Sequence, residues 1–266
     1  MTITSANLPY RLERTLVIQA RRETVFRFFT DSTRWASWWG AGSTIDPRPG
    51  GSMLIKYPGD VQASGEVIEI APPERLTFTY GYATGTPIAP GASLVTIRLE
   101  PCGAGGRDTR LTLAHAFSDA AVRDQHVQGW RYQLSLFANL VSNDVQQNAS
   151  SVVDGWLDAW SNTDATARAA ALARIAEPTV QFRDRFSAID GVDDLHLHLD
   201  AAQRFMPGVH LQRDGDVRQC QGVALADWIA RSPDGQERAR GTNVFILNSD
   251  GRIESVTGLW SRHPQQ

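Results

Sequence analysis

The chain reads as two α+β domains, and three observations carry that reading. The first half runs strand, two short helices, a series of strands and one long helix. The second half runs three helices and then an antiparallel meander. At 266 residues the chain is long for one core and fits two domains of ordinary size. The expected bounds are 1–142 for the first domain, 143–151 for a polar linker and 152–266 for the second.

In the first half, Arg11 to Ala20 alternates Leu12, Leu16 and Ile18 with polar residues, a strand pattern. Glu23 to Thr30 predicts a short helix, and Asp31-Ser32 caps a second one carrying Trp35, Trp38 and Trp39, which Gly40 and Gly42 end. The turn Asp46 to Gly51 leads into five strands: Ser52–Tyr57, Ala63–Ile70, Leu76–Tyr82, Leu94–Glu100 and Thr109–Phe117. From Asp119 to Val141, the residues Val127, Trp130, Leu134, Phe137 and Val141 fall on one helical stripe, with Ser118 and Asp119 as caps. About 23 residues at 1.5 Å each make a rod of roughly 34 Å, long enough to cross a sheet. Gly129 sits in its middle against propensity, either to admit a close neighbour or to leave space beneath the helix.

In the second half, Val152 to Ile175 is helical with a break at Asn162-Thr163-Asp164, and Pro178 to Asp184 is a strand. A third helix starts at Gly191 and ends before Pro207-Gly208. The meander comprises His210–Cys220 with a bend or short hairpin at Arg213–Asp216, then Gly222–Ala230, Arg240–Asn248 and Ile253–Trp260.

Composition narrows the function classes. A formal net charge of −3 gives no electrostatic reason to expect nucleic acid or an anionic membrane as partner. Residues 1–14 lack the apolar core of a signal peptide, and no apolar run approaches the ~20 residues of a membrane helix. Two cysteines, one in each half, argue against a disulfide framework and for a reducing cytoplasm. Eight tryptophans are the unusual feature, because flat side chains near polar groups line apolar ligand cavities as well as filling cores.

The stretches RTLVIQARRETVFRFFTD, WASWWG, IDPRPGGSMLI, GEVIEIAPPERLTFTY, TRLTLAHAF and HVQGW span Leu12 to Leu140. On them the first half resembles the START-like (SRPBCC) superfamily, within it the homologues of the activator of the ninety-kilodalton heat-shock protein ATPase. The resemblance implies a helix-grip fold with a cavity between sheet and long helix. Strand alternation supports that independently: Leu76, Phe78, Tyr80 and Tyr82 share one face, as do Leu111, Leu113, His115 and Phe117. The expected walls are Trp39, Phe78, Tyr80, His115, Trp130 and Leu134, with Tyr57 as a further polar group. His115 is read either as a hydrogen-bonded core histidine or as a polar anchor for a ligand.

The stretches WLDAWSNTD, PTVQFRDRFSAIDGVDDL, AQRFMPG and GTNVFILNSDGRIESVTGLW span Val152 to Trp260. On them the second half resembles the SnoaL-like members of the nuclear transport factor two-like superfamily, and more distantly the ketosteroid isomerases. The resemblance implies a cystatin-like cone that admits a small apolar substrate. It places Asp184 at the general-base position, Asn243 at a hydrogen-bond donor to the oxyanion, and Trp156 where the isomerases keep a donor tyrosine; two of these three differ from the isomerase residues. Against the base role, a carboxylate ending a strand is also a common turn residue. Trp160, Phe182, His198, Phe205, Met206 and Trp228 are further expected lining residues, with Phe205 and Met206 at the mouth. His196 and His198, two apart on a helix, diverge by about 200° and do not share a metal ion. No metal or cofactor is expected.

The function expected first is binding of small apolar molecules in two fused cavities. The alternative is an isomerase, dehydratase or cyclase acting on a carbonyl compound in the second domain. A cochaperone role follows only from the family name, and the chain offers no further domain to grip a chaperone. A homodimer is expected through the second domain's sheet, because Val244 and Ile246 lie opposite Asn243, Phe245 and Leu247 and make both faces of that strand apolar: one face needs the cone, the other a partner or the neighbouring domain.

Overall fold

A computed structural model of the chain describes residues 7–261. The first six residues of the N-terminal stretch read above, and the last five of the second domain, lie outside the described residues. The chain divides into two compact units, Met1–Ser142 and Asn143–Gln266. Among the described residues no helix is long and apolar enough to cross a membrane.

The first unit is an antiparallel sheet of seven strands around one long helix. Its strands are β1 (Tyr10–Ile18), β2 (Thr44–Ile45), β3 (Ser52–Lys56), β4 (Gln62–Ala71), β5 (Arg75–Tyr82), β6 (Ser93–Cys102) and β7 (Asp108–Phe117), in spatial order β1-β7-β6-β5-β4-β3-β2. The short helices α1 (Arg22–Arg27) and α2 (Ser32–Trp39) connect β1 to β2. Asp31 caps α2 by accepting from the Arg34 amide at 2.8 Å. The long helix α3 runs from Ala120 to Val145, and Asp119 caps it through the Val122 amide at 3.0 Å. Its buried stripe is Trp130, Leu134, Phe137 and Val141, and each such burial contributes about 1.5–3 kcal/mol.

The second unit is the cone implied by the SnoaL-like resemblance. Helices α4 (Ala149–Ser161), α5 (Ala165–Ile175) and α6 (Val192–Phe205) accompany a sheet of β8 (Ala176–Arg183), β9 (Ala188–Asp190), β10 (His210–Cys220), β11 (Val223–Arg231), β12 (Glu237–Leu247) and β13 (Ile253–Trp260). The spatial order is β10-β11-β12-β13-β8-β9, and β8 pairs with β13 in parallel. The α+β class holds in both units.

Two local readings are corrected. The run 143–151 is not an extended linker: α3 continues through Val145 and α4 begins at Ala149, leaving a three-residue turn. Polar residues do not end a helix by themselves, and Gln146 is buried, donating to the Leu247 carbonyl at 3.4 Å. The bend expected at Arg213–Asp216 is a register shift inside continuous β10, between Asp214 and Arg218, which absorbs the extra residues as a bulge.

Candidate functional site

The deep end of the first unit's groove is filled by aromatic rings. Phe29 stacks on Phe137 with centroids 4.8 Å apart, Trp38 meets Phe137 edge-on at 4.8 Å, and Trp35 meets Phe78 edge-on at 5.9 Å. Toward the end of α2 this packing stops, and a cavity of about 550 Å³ opens between α2, the β3–β4 loop, β5 and the first half of α3. Trp39, Tyr57, Tyr80, Tyr82, His126 and Trp130 give it its aromatic wall. That volume lies in the range of small-molecule sites. Gly129 sits on the exposed rim, and a Cβ built there meets nothing within 4 Å. Of its two readings, space rather than close packing is the one realised.

The polar atoms around this cavity follow a definite order. Trp130 Nε1 donates to His115 Nδ1 at 2.9 Å, so that nitrogen bears no proton. The proton is then on Nε2, which donates to Ser93 Oγ at 2.8 Å, and Ser93 Oγ donates to the Tyr80 carbonyl at 2.8 Å. His115 is fully buried, and burial, with the charge of neighbouring His126 as a second cause, holds its pKa well below the ordinary value. The chain Trp130–His115–Ser93 fixes the indole that forms one wall. Tyr57 and Tyr80 pair hydroxyl to hydroxyl at 2.9 Å, and burial raises both phenols, so neutral hydroxyls face the cavity near neutral pH.

Of the residues expected around the cavity, Trp39, Tyr57, Tyr80 and Trp130 border it. Phe78, His115 and Leu134 do not border it: all three are buried, Phe78 against Trp35, and His115 as the hydrogen-bonded core histidine of its two readings. His126 and Tyr82 were missed as site residues. His126 precedes Trp130 by one helical turn, and Tyr82 continues the Phe78–Tyr80 alternation, so both spacings were available.

In the second unit the cone's centre is an aromatic cluster. Trp156 packs against Phe182 at 5.8 Å and Phe245 at 6.2 Å, and Trp160 against Phe182 at 5.3 Å. His198 lies against Trp160 and Phe182, its Nε2 3.3 Å from Ser187 Oγ. Asp184 and Asn243 converge on Gly258: a Cβ there would stand 3.2 Å from Asp184 Cβ and 3.3 Å from Asn243 Oδ1. Both groups already hold indole donors, Trp260 Nε1 on Asp184 at 3.1 Å and Trp228 Nε1 on Asn243 Oδ1 at 3.1 Å. Asp184 is half-buried and also accepts from the Phe186 amide at 2.8 Å, the turn role of a strand-ending carboxylate. Trp260 is the residue that sequence reasoning overlooked here, although alternation with Val256 and Gly258 places it on the inner face. Trp156 is almost wholly buried in the cluster, with its Nε1 unpartnered. Phe205, expected at the mouth, is 86 % exposed at the end of α6, and Met206 is also exposed.

Residues 19–142 match the family model described as Activator of Hsp90 ATPase homolog 1-like protein. No curated protein matches the chain. Among solved structures, a protein of the SnoaL-like family from Agrobacterium tumefaciens is 25% identical, with a TM-score of 0.41, over 42% of this chain and 96% of that one. CalU16 from Micromonospora echinospora is 26% identical, with a TM-score of 0.40, over 53% of this chain and 82% of that one. An Aha1 dimer from Colwellia psychrerythraea is 14% identical, with a TM-score of 0.39, over 47% and 90%. Over residues 19–142, which lie within its first unit, the chain is thus similar to the Activator of Hsp90 ATPase homolog 1-like family.

Proposed function

We propose that the protein binds a small, mainly apolar molecule in the cavity of its first unit. The observation that carries this is the cavity itself, about 550 Å³ with an aromatic wall and a neutral tyrosine pair, at the end of an otherwise densely packed groove. Interiors are close-packed by default, and an opening of that size is kept only at a cost in stability. The free thiols of Cys102 and Cys220 fit a cytoplasmic setting. Native mass spectrometry of the purified chain tests the reading. The expected result is an additional small-molecule mass, reduced about tenfold or more in occupancy by Gly129→Trp, whose indole would span the rim. The bare chain mass for each protein, with no adduct on either, would overturn it.

A second reading is favoured by the meeting of Asp184 and Asn243 at Gly258: proton transfer on a carbonyl compound in the second unit. A base there would have to exchange the Trp260 bond for substrate. Asp184→Asn is expected to abolish turnover, by a factor of about 100 or more, while folding is kept. Turnover unchanged in that variant sinks the catalytic reading and leaves binding alone. We also place a homodimer interface on the outer face of the second unit's sheet.

A further inference from the structure

Gln133 borders the first unit's cavity from α3 and is more than nine-tenths buried. Its Nε2 donates to the Trp38 carbonyl, one of the last carbonyls of α2, which the helix itself leaves free. A carbonyl only accepts, so this contact fixes which end of the amide is nitrogen. Oε1 is the other end, and it has no partner among the described residues. Trp39 Nε1 and His126 Nε2 also lack partners, but they have no surface open to solvent and lie behind the wall. Gln133 Oε1 is not closed off in that way, and the cavity is where Gln133 keeps its remaining surface. A buried amide oxygen in that position needs a donor from whatever fills the space.

The cavity is also without charge. Among the described residues that border it there is no aspartate, glutamate, lysine or arginine. Tyr57 and Tyr80 keep their protons near neutral pH, and burial holds His126 neutral. A charged group entering from water would lose hydration and meet no counter-charge, which strongly disfavours it. The rings of Trp39, Tyr57, Tyr82 and Trp130 offer flat apolar contact to the rest of a ligand.

We infer that the ligand is an uncharged aromatic compound that donates a hydroxyl or N–H hydrogen to Gln133 Oε1. This rests on the cavity reading above and adds to it the residue and the ligand group that set specificity.

Three pyrenes of nearly equal size, titrated by fluorescence into the full chain at neutral pH, test both features. 1-Hydroxypyrene carries the donor, 1-methylpyrene has an apolar group in its place, and 1-pyrenecarboxylate carries a negative charge. 1-Hydroxypyrene should bind tightest and 1-methylpyrene about tenfold more weakly, the worth of one net hydrogen bond. 1-Pyrenecarboxylate should be weaker again by about tenfold or more. Gln133→Leu should remove the preference for 1-hydroxypyrene while leaving 1-methylpyrene within about twofold of wild type, a split that a merely structural glutamine would not give. Gln133→Met takes its place if the leucine variant does not fold, and the wild-type order is a test without either. Equal binding of 1-hydroxypyrene and 1-methylpyrene overturns the inference, as does 1-pyrenecarboxylate binding as tightly as either, or a preference that survives replacement of Gln133. The cavity reading stands in each of those cases. Binding of none of the three overturns both.

Discussion

At the scale of single residues, the first unit's histidines make the clearest statement about pH. His115 and His126 lie 5.4 Å apart, ring to ring, and each also packs against Tyr80 and Phe117, with Tyr82 against His126. Burial lowers the pKa of both; the charge of His126 lowers that of His115 further, while the hydrogen bond to the Val122 carbonyl partly offsets the shift at His126. Above the unfolded value of about 6.5 both are neutral in folded and unfolded chain alike, and nothing is lost. Below it the unfolded chain takes up protons that the folded chain refuses, so stability falls with pH. The urea midpoint of the first unit should therefore be level between about pH 8 and 7 and decline below about 6.5, ahead of the carboxylates. His126→Phe should flatten that decline by one proton; a slope unchanged in the variant would show that His126 is not held neutral. His115 was legible as inward-facing from strand alternation alone. A hydrogen-bonded core role was the expected one for a lone histidine on an apolar face; its partners, Trp130 and Ser93, were not legible because they arrive from α3 and β6.

At the scale of elements, patterning located nearly every helix and strand, and the misses share a cause. β2 and β9, two and three residues long, were not foreseen because so short a run has no periodicity to detect. The apolar stripe ends at Val141, four residues before α3 itself does, because polarity is no stop signal and a half-buried helix continues until capping or packing ends it. The candidate site shows the same division. The aromatic faces were readable from spacing, but which aromatics fill the groove and which border its opening depended on where Trp35, Trp38 and Phe137 stack. Gly129 is the exception, a local anomaly in sequence that marks the opening directly. Its backbone is helical and its surroundings are empty, so Gly129→Ala should stabilise the first unit by about 1 kcal/mol and raise its thermal midpoint by a few degrees. A lower midpoint in differential scanning calorimetry would mean that the glycine is needed for something other than space.

At the scale of the whole molecule, the second unit's sheet poses a problem that the chain's own cone does not solve. The inner face is accounted for by Asn243, Phe245 and Leu247, all buried. On the outer face the register aligns Val223 with Ile246 and Leu225 with Val244, and Leu259 stands beside Thr242. Val223 and Leu259 are 38% and 54% exposed, an apolar strip across three neighbouring strands. Such strips on antiparallel sheets need a partner surface, and a second copy offers an identical one related by a two-fold axis, residue for residue. Arg218 and Asp227, ion-paired at 3.0 Å, lie beside the strip and would form part of its polar rim. Light scattering on the full chain at about micromolar concentration should thus return twice the mass of the 29.3 kDa chain. Val244→Glu should convert it to monomer, because burying an unpaired carboxylate at the centre of such an interface costs several kcal/mol. Since the site in the first unit is built from that unit's residues alone, the same variant should keep the small-molecule mass expected for the wild type in native mass spectrometry. A monomer mass for the unsubstituted chain would remove the dimer and leave the strip as exposed apolar surface without a function.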